Sequence, residues 1–277
     1  MAARSARAGE VRRLEDRRLI TGAGIYTDDV RVEGCLHAVF VRSPLAHARI
    51  TGIDLAEARR VPGVVGVFTA ADLEFRSDTA RPRLCAGEVR FVGDAIAVAV
   101  GETREAAADA AALVAVDFDP LPVIVDATAA LEPDAPLVDA DKGDNLALDF
   151  ELGDEGALEG AEVVVRGRFV NQRLAAVPLE GNAVLASPDL AGGLRMWVST
   201  QAPFNVRRQV AEAIGVEEER VRVTAGDVGG AFGAKLMVYP EPSVIAAIAL
   251  RLGRPVRWAE HRSENMVAMT HGRGHVQ

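Results

Sequence analysis

Apolar residues along this chain recur with two periods, and the period changes mark its elements. Gly34 to Arg42, Ile50 to Ile53, Val64 to Thr69, Ala95 to Val100 and Val114 to Phe118 are short alternating or β-branched runs, which predict strands. Asp54 to Arg59 predicts a short helix with Asp54 as its cap, closed by Pro62-Gly63. Thr103 caps a predicted alanine-rich helix from Arg104 to about Val114. In the second half, Glu162 to Val170, Ala183 to Ser187, Leu194 to Thr200 and Val221 to Val223 read as strands. Pro203 opens a predicted helix through Ile214 to Gly215, and Ser243 to Leu250 forms another that ends at Gly253.

This order predicts an α+β protein in four parts. Residues 1–17 form an Ala/Arg-rich arm and 18–125 a first α/β unit. Residues 126–148, with Pro133, Pro136, Asp134, Asp139, Asp141 and Asp144, read as an extended linker, and 149–277 form a second unit. The linker's aspartates lack EF-hand spacing, so a solvated stretch is expected there. No internal repeat is visible.

Composition narrows the function classes. Of 277 residues 49% are hydrophobic, enough for real cores, and the net charge of −9 disfavours a nucleic-acid partner. The pairs Arg12-Arg13, Arg17-Arg18 and Arg207-Arg208 are expected on solvated faces or subunit contacts. Cys35 and Cys85 are too few for a disulfide framework, a zinc site or an iron–sulfur cluster, and Cys35 is expected to be buried beside its strand. His37 and His47 are expected to be satisfied within the fold. Met1 to Glu10 lacks the apolar core of a secretory signal, and no apolar run is long enough to span a membrane. A cytoplasmic protein is the expectation.

Between the last predicted strand and helix lies Gly226-Asp227-Val228-Gly229-Gly230-Ala231-Phe232-Gly233-Ala234-Lys235, followed by Tyr239-Pro240-Glu241. Glycines let backbone N–H groups close on an oxygen-rich ligand. A P-loop would need Ser or Thr after the lysine, where Leu236 stands. The glycine register also misses the dinucleotide fingerprint. The embedded Phe232 points to a loop that covers something as well as hydrogen-bonding it.

Further segments accompany this loop. Met196 to Phe204, with its Ser199-Thr200-Gln201 step, lies upstream. Leu252 to Trp258 and His271-Gly272-Arg273 lie downstream, and Leu36 to Ile50 stands near the start. Together, from about Arg12 onward, the chain resembles the molybdopterin-binding large subunit of the molybdenum hydroxylases: the xanthine dehydrogenase, aldehyde oxidase and carbon monoxide dehydrogenase family. The resemblance implies a hammerhead-type α/β domain followed by the first part of a molybdopterin-binding domain. It implies an oxidoreductase that hydroxylates an aldehyde, an N-heterocycle or a similar small molecule, or oxidises carbon monoxide. Water would supply the oxygen, and two electrons would leave through other subunits. The cofactor implied is a molybdenum-pyranopterin in its cytosine dinucleotide form, held through its own dithiolene sulfurs and not by side chains. FAD and [2Fe-2S] clusters would sit on partner subunits, in a dimer of heterotrimers.

By the same resemblance, Gln201 would hydrogen-bond an oxo ligand of the metal, although its place before a helix also suits a cap. Gly229, Gly230, Phe232 and Gly233 match the family's Gly-Gly-x-Phe-Gly loop, with Phe232 bordering the substrate. Lys235 could meet a phosphate or close a turn, and Glu241 is expected to cap or pair structurally. Where purine-oxidising relatives carry a glutamate after the loop lysine, this chain has Leu236, which favours an apolar or neutral substrate. Pro178-Leu179-Glu180 resembles a family segment, but Gly181-Asn182 departs from its continuation and weakens a role for Glu180. The base glutamate is expected beyond residue 277, so no catalytic residue is assigned within the chain, and the chain alone is expected to lack hydroxylase activity. Residues 271–277 look like an interruption within a domain, to be completed by the rest of the large subunit. The competing expectation is a non-catalytic remnant, or an assembly module that keeps the fold.

Overall fold

A computed structural model describes residues 13–76, 82–154, 156–189, 191–237 and 239–277. Most of the expected N-terminal arm, residues 1–12, lies outside the described residues. The strands are β1 (Leu36–Arg42), β2 (Ala48–Asp54), β3 (Val64–Thr69), β4 (Glu88–Val89), β5 (Ala95–Gly101) and β6 (Ala115–Pro120). They continue with β7 (Val170–Asn171), β8 (Ala183–Pro188), β9 (Leu194–Val198), β10 (Val221–Thr224), β11 (Val256–Ala259) and β12 (His275–Val276). The helices are α1 (Asp16–Ile20), α2 (Arg104–Ala112), α3 (Pro203–Ile214), α4 (Glu241–Leu252) and α5 (Arg262–Ala268).

One seven-stranded sheet, in the order β10-β9-β8-β11-β1-β5-β3, runs through the molecule. The parallel pair β1–β11, with Leu36 opposite Val256, joins early strands to late ones across the expected linker. Every residue of β5 is buried, as its unbroken run Ala95-Ile96-Ala97-Val98-Ala99-Val100 requires of a central strand. A smaller sheet, β4-β2-β6, lies apart from it. Helix α2 packs on β1 and β5, and α4 packs on β8 and β11. The core combines Leu36, Phe40 and Val98 with Val184, Met196, Ile245 and Trp258. Each such side chain contributes about 1.5–3 kcal/mol on burial.

The helix ends follow their sequence signals. The Thr103 hydroxyl accepts from the Ala106 N–H at 3.1 Å, Pro203 opens α3, and Gly215 and Gly253 close α3 and α4 in left-handed conformation. At the α4 start, the buried Arg42 guanidinium donates to Glu241 at 2.8 Å and to Glu264 at 2.6 Å. The same group lies over the Phe40 ring, 5.1 Å from its centroid. This cluster ties β1 to α4 and α5, and gives Glu241 the structural pairing expected of it.

Four expectations are corrected. Asp54 ends β2 and its carboxylate accepts from the Ala56 N–H at 2.8 Å, so it forms a turn, and only a 3-10 turn follows at Ala58–Arg60. Of the predicted strand Glu162 to Val170, only Val170 and the adjoining Phe169 are paired, with Val276 and Gln277, and among the described residues no segment offers its backbone to the rest. The stretch 126–148 is not simply extended: it holds 3-10 turns at Ala129–Leu131 and Ala140–Lys142, and Arg90 pins Asp139 at 3.3 Å. Cys35 is half-buried rather than buried, while Cys85 is buried. His47 is satisfied as expected, by the Pro122 carbonyl at 2.7 Å and Glu88 at 3.1 Å. His37 is half-buried at the edge of an open cavity, where burial and then Arg257 lower its pKa. No helix among the described residues is long and apolar enough to cross a membrane.

Candidate functional site

The glycine loop leaves β10 at the sheet edge and reaches α4 through a 3-10 turn at Ala234–Leu236. Its shape is set from behind by Glu180. The Gly229 N–H donates to Glu180 Oε2 at 2.7 Å, and the Glu180 N–H returns a bond to the Gly229 carbonyl at 3.0 Å. This approach is so close that a Cβ on Gly229 would lie 2.5 Å from that of Glu180. Only glycine fits there.

Lys235 lies beneath the loop, with its side chain fully buried. Its ammonium donates to Glu180 at 3.1 Å and to Ser199 Oγ at 2.7 Å, and Ser199 donates to Glu180 at 2.8 Å. Burial lowers the Lys235 pKa, and Glu180 works against that shift. Lys235 is therefore a structural cation beneath the loop and does not face a phosphate. Its carbonyl accepts from the Gln201 N–H at 3.0 Å and the Thr200 hydroxyl at 3.1 Å, which fixes the Ser-Thr-Gln step against the loop. Tyr239 completes the frame: its hydroxyl donates to the Ala234 carbonyl at 2.7 Å and accepts from the Thr270 N–H at 3.1 Å.

The outward face of the loop is different. Among the described residues, no acceptor takes the N–H of Gly230, Ala231, Phe232 or Gly233. Gly230 has φ of +96°, Phe232 +53° and Gly233 +86°. For Phe232 this left-handed conformation costs about 1–2 kcal/mol, although its ring is 78% exposed and gains little packing in return. A Cβ on Gly233 would meet nothing within 4 Å. Phe232 and Gly233 border a cavity of about 450 Å³, whose other walls include Leu174, Ala176, Thr270 and His271. The exposed Leu236 and Met237 follow on an apolar rim. The Gln201 side chain is also exposed and makes no hydrogen bond among the described residues. It does not cap α3, whose cap residue is Ala202.

The loop's one carboxylate is neutralised. Asp227 takes a two-pronged bond from the Arg18 guanidinium and a third from the Ile25 N–H at 2.8 Å, and Arg18 foremost holds its pKa down to about 2. Arg18 thus meets a loop residue while its side chain stays exposed, on a solvated face as expected. A run of unpaired N–H donors, an exposed aromatic, open space beside Gly233 and no free negative charge fit an anionic, oxygen-bearing group such as a molybdenum-pyranopterin. Of the residues singled out in the sequence, Phe232 and Gly233 are exposed and Gly230 is half-buried beside Pro178. The structure turns Gly229 inward and anchors Gln201 beside them through Lys235. Sequence reasoning missed Glu180 as the hub. A lysine so close to apolar residues signals a need for a buried counter-charge, but nothing in the sequence selects Glu180 from 40 acidic residues.

Comparison with known proteins agrees with this geometry. The molybdopterin cofactor-binding domain family matches residues 137–277, and the hammerhead domain of aldehyde oxidase and xanthine dehydrogenase matches 21–122. The chain is 37% identical to the nicotine 6-hydroxylase large subunit of Paenarthrobacter nicotinovorans, over 94% of its own length and 34% of the relative's. It is 39% identical to the carbon monoxide dehydrogenase large chain of Afipia carboxidovorans, over 92% of its own length and 35% of the relative's. Quinoline 2-oxidoreductase from Pseudomonas putida 86 superposes with a TM-score of 0.88 at 37% identity, covering 95% of this chain and 36% of that one. The chain thus spans about a third of the length of the relatives it matches.

Proposed function

The chain belongs to the molybdenum hydroxylase large-subunit family, and from that premise we propose that it is the N-terminal part of the cofactor subunit of a substrate-hydroxylating oxidoreductase. The observation that carries this reading is the outward face of the glycine loop, with its unpaired N–H groups at Gly230 to Gly233. The bound group would supply two-electron redox chemistry, with water as the oxygen source.

This chain's own residues hold and orient. The N–H groups of Gly230 to Gly233 would donate to the anionic group, and Gly229 lets the loop close on Glu180. The Gln201 amide would donate toward an oxo ligand of the bound group without adding charge. The Phe232 ring walls the substrate side and keeps water from it. The apolar rim at Leu236 and Met237 favours a neutral or apolar substrate: an aldehyde, an N-heterocycle or carbon monoxide. The base that moves the substrate's proton is assigned to none of the described residues and is expected outside residues 1–277. The cytosine dinucleotide form of the cofactor, an FAD subunit, an iron–sulfur subunit, a dimer of heterotrimers and a cytoplasmic location belong to the same proposal. Relatives named as large subunits, or as a subunit of a dehydrogenase complex, support it.

The test is the composition of the assembly isolated from native cells through this chain. A large complex with molybdenum, flavin and iron is expected. A bare chain without molybdenum would contradict the proposal and leave a non-catalytic module.

A further inference from the structure

Residues 27–32 form a strap over one face of the main sheet. Its first turn, Thr27–Asp29, packs on β8. Arg257 of β11 holds it from below: the guanidinium donates to the Asp28 carbonyl at 3.0 Å, to the Asp28 carboxylate at 3.3 Å and to the Val30 carbonyl. Helix α2 covers β1 and β5 on the same face, where Ala99 packs with Ala110. His37 lies opposite Arg257 in the β1–β11 ladder. Between the strap and the start of α2 is a cavity of about 520 Å³, with His37 in its wall.

The charges around this cavity do not cancel. Its two carboxylates are already paired, Asp28 with Arg257 and Glu102 with Arg254 through bonds of 2.7 and 2.9 Å. Glu105, at the start of α2, is held below its ordinary pKa by its own N–H and then by the Thr103 hydroxyl. Two guanidiniums remain. Arg31, exposed on the strap, donates to the Asp28 carbonyl at 2.7 Å. Arg104, half-buried, donates to the Ala259 carbonyl at 3.2 Å and reaches His261 Nε2 at 3.5 Å. Among the described residues neither has a carboxylate partner. The chain has 40 acidic residues against 31 basic ones, so carboxylates are not scarce. The His37 ring makes no hydrogen bond among the described residues. Burial and then Arg257 lower its pKa, so near neutral pH it is uncharged and offers one N–H.

We propose that this cavity binds a small organic phosphate monoester, its oxygens between Arg31 and Arg104 with the His37 N–H as a further donor. Guanidinium forks match phosphate oxygens, and a phosphate monoester carries about −1.5 to −2 charges at neutral pH, enough for both arginines. One carboxylate would leave one of them unpaired. The cavity is far larger than a phosphate group, and Val32, Ala38 and Ala259 give an organic body an apolar wall. None of these residues belongs to the glycine loop, and the binding does not depend on the cofactor.

The test is a titration of the chain, with its histidine rings labelled for NMR, at fixed ionic strength. Phenyl phosphate is the probe and benzoate the singly charged control. The His37 ring signals should shift and saturate with phenyl phosphate, while those of His47, bonded to Glu88 and the Pro122 carbonyl, stay still. Arg31→Gln and Arg104→Gln should each weaken binding by about tenfold or more, and benzoate should bind more weakly than phenyl phosphate by a similar factor. Arg208→Gln removes an exposed charge on α3 and should change nothing. Should Arg104→Gln fail to fold, Arg31→Gln and the benzoate comparison decide alone. No saturable shift at His37 would overturn the proposal. So would benzoate binding as tightly as phenyl phosphate, or equal weakening by Arg31→Gln and Arg208→Gln, which would mean diffuse attraction and no site.

Discussion

Glu180 and Lys235 hold the loop, and their environment sets what losing either one costs. The Lys235 side chain is fully buried and that of Glu180 is 16% exposed. Glu180→Ala strands a buried ammonium and frees the Gly229 N–H, so a loss of about 3 kcal/mol or more is expected in urea unfolding. Glu180→Leu with Lys235→Met removes both charges and should recover much of that loss; equal losses would refute the pairing. Gly229→Ala forces a methyl against Glu180 and should cost about 1–3 kcal/mol. Nearby, burial raises the pKa of the Glu260 carboxyl above its ordinary 4.5, although the Asn182 N–H and the Asn265 amide both donate to it at 2.7 Å. The folded chain keeps a proton there that the unfolded chain gives up. The stability this provides is complete below pH 4.5 and is lost as pH rises through the raised value. Glu260→Gln should therefore flatten the fall in Tm above pH 4.5, and an unchanged slope in thermal melts would refute it. The loop residues were readable in the sequence as a spaced motif. Glu180, 49 residues away from Gly229, was not, since a long-range counter-charge leaves no local pattern.

At the scale of elements, the helices were legible because their signals are local. Thr103, Pro203, Gly215 and Gly253 each act within one turn. Strand β5 was legible because a central strand needs an unbroken apolar run. Glu162 to Arg168 has strand composition without strand structure, since a ladder depends on a partner as well as on sequence. Asp54 was misread because the same side chain serves helix caps and Asx turns. Gln201 sits at the junction of β9 and α3, exposed and not capping the helix. Gln201→Ala should leave the melting of the chain within about 0.5 kcal/mol of wild type. In the native assembly it should lower kcat while leaving molybdenum in place. A helix cap would behave oppositely, with lost stability and unchanged turnover.

Across the whole molecule, one sheet carries the glycine loop at its β10 end and the hammerhead strands at its β3 end. Loop and hammerhead are thus parts of one hydrogen-bonded layer, locked where Arg42 meets Glu241 and Glu264. That layer was not legible in the sequence, because the β1–β11 pairing joins residues more than two hundred apart. The central claim is that the outward face of residues 230–233 holds a molybdenum cofactor. The direct measurement is molybdenum per chain in the native assembly, for wild type and for Gly230→Val. A β-branched residue resists the +96° φ that Gly230 adopts. Near-stoichiometric molybdenum in the wild type and its loss in an otherwise assembled variant is the predicted result. Equal molybdenum in both would contradict the assignment.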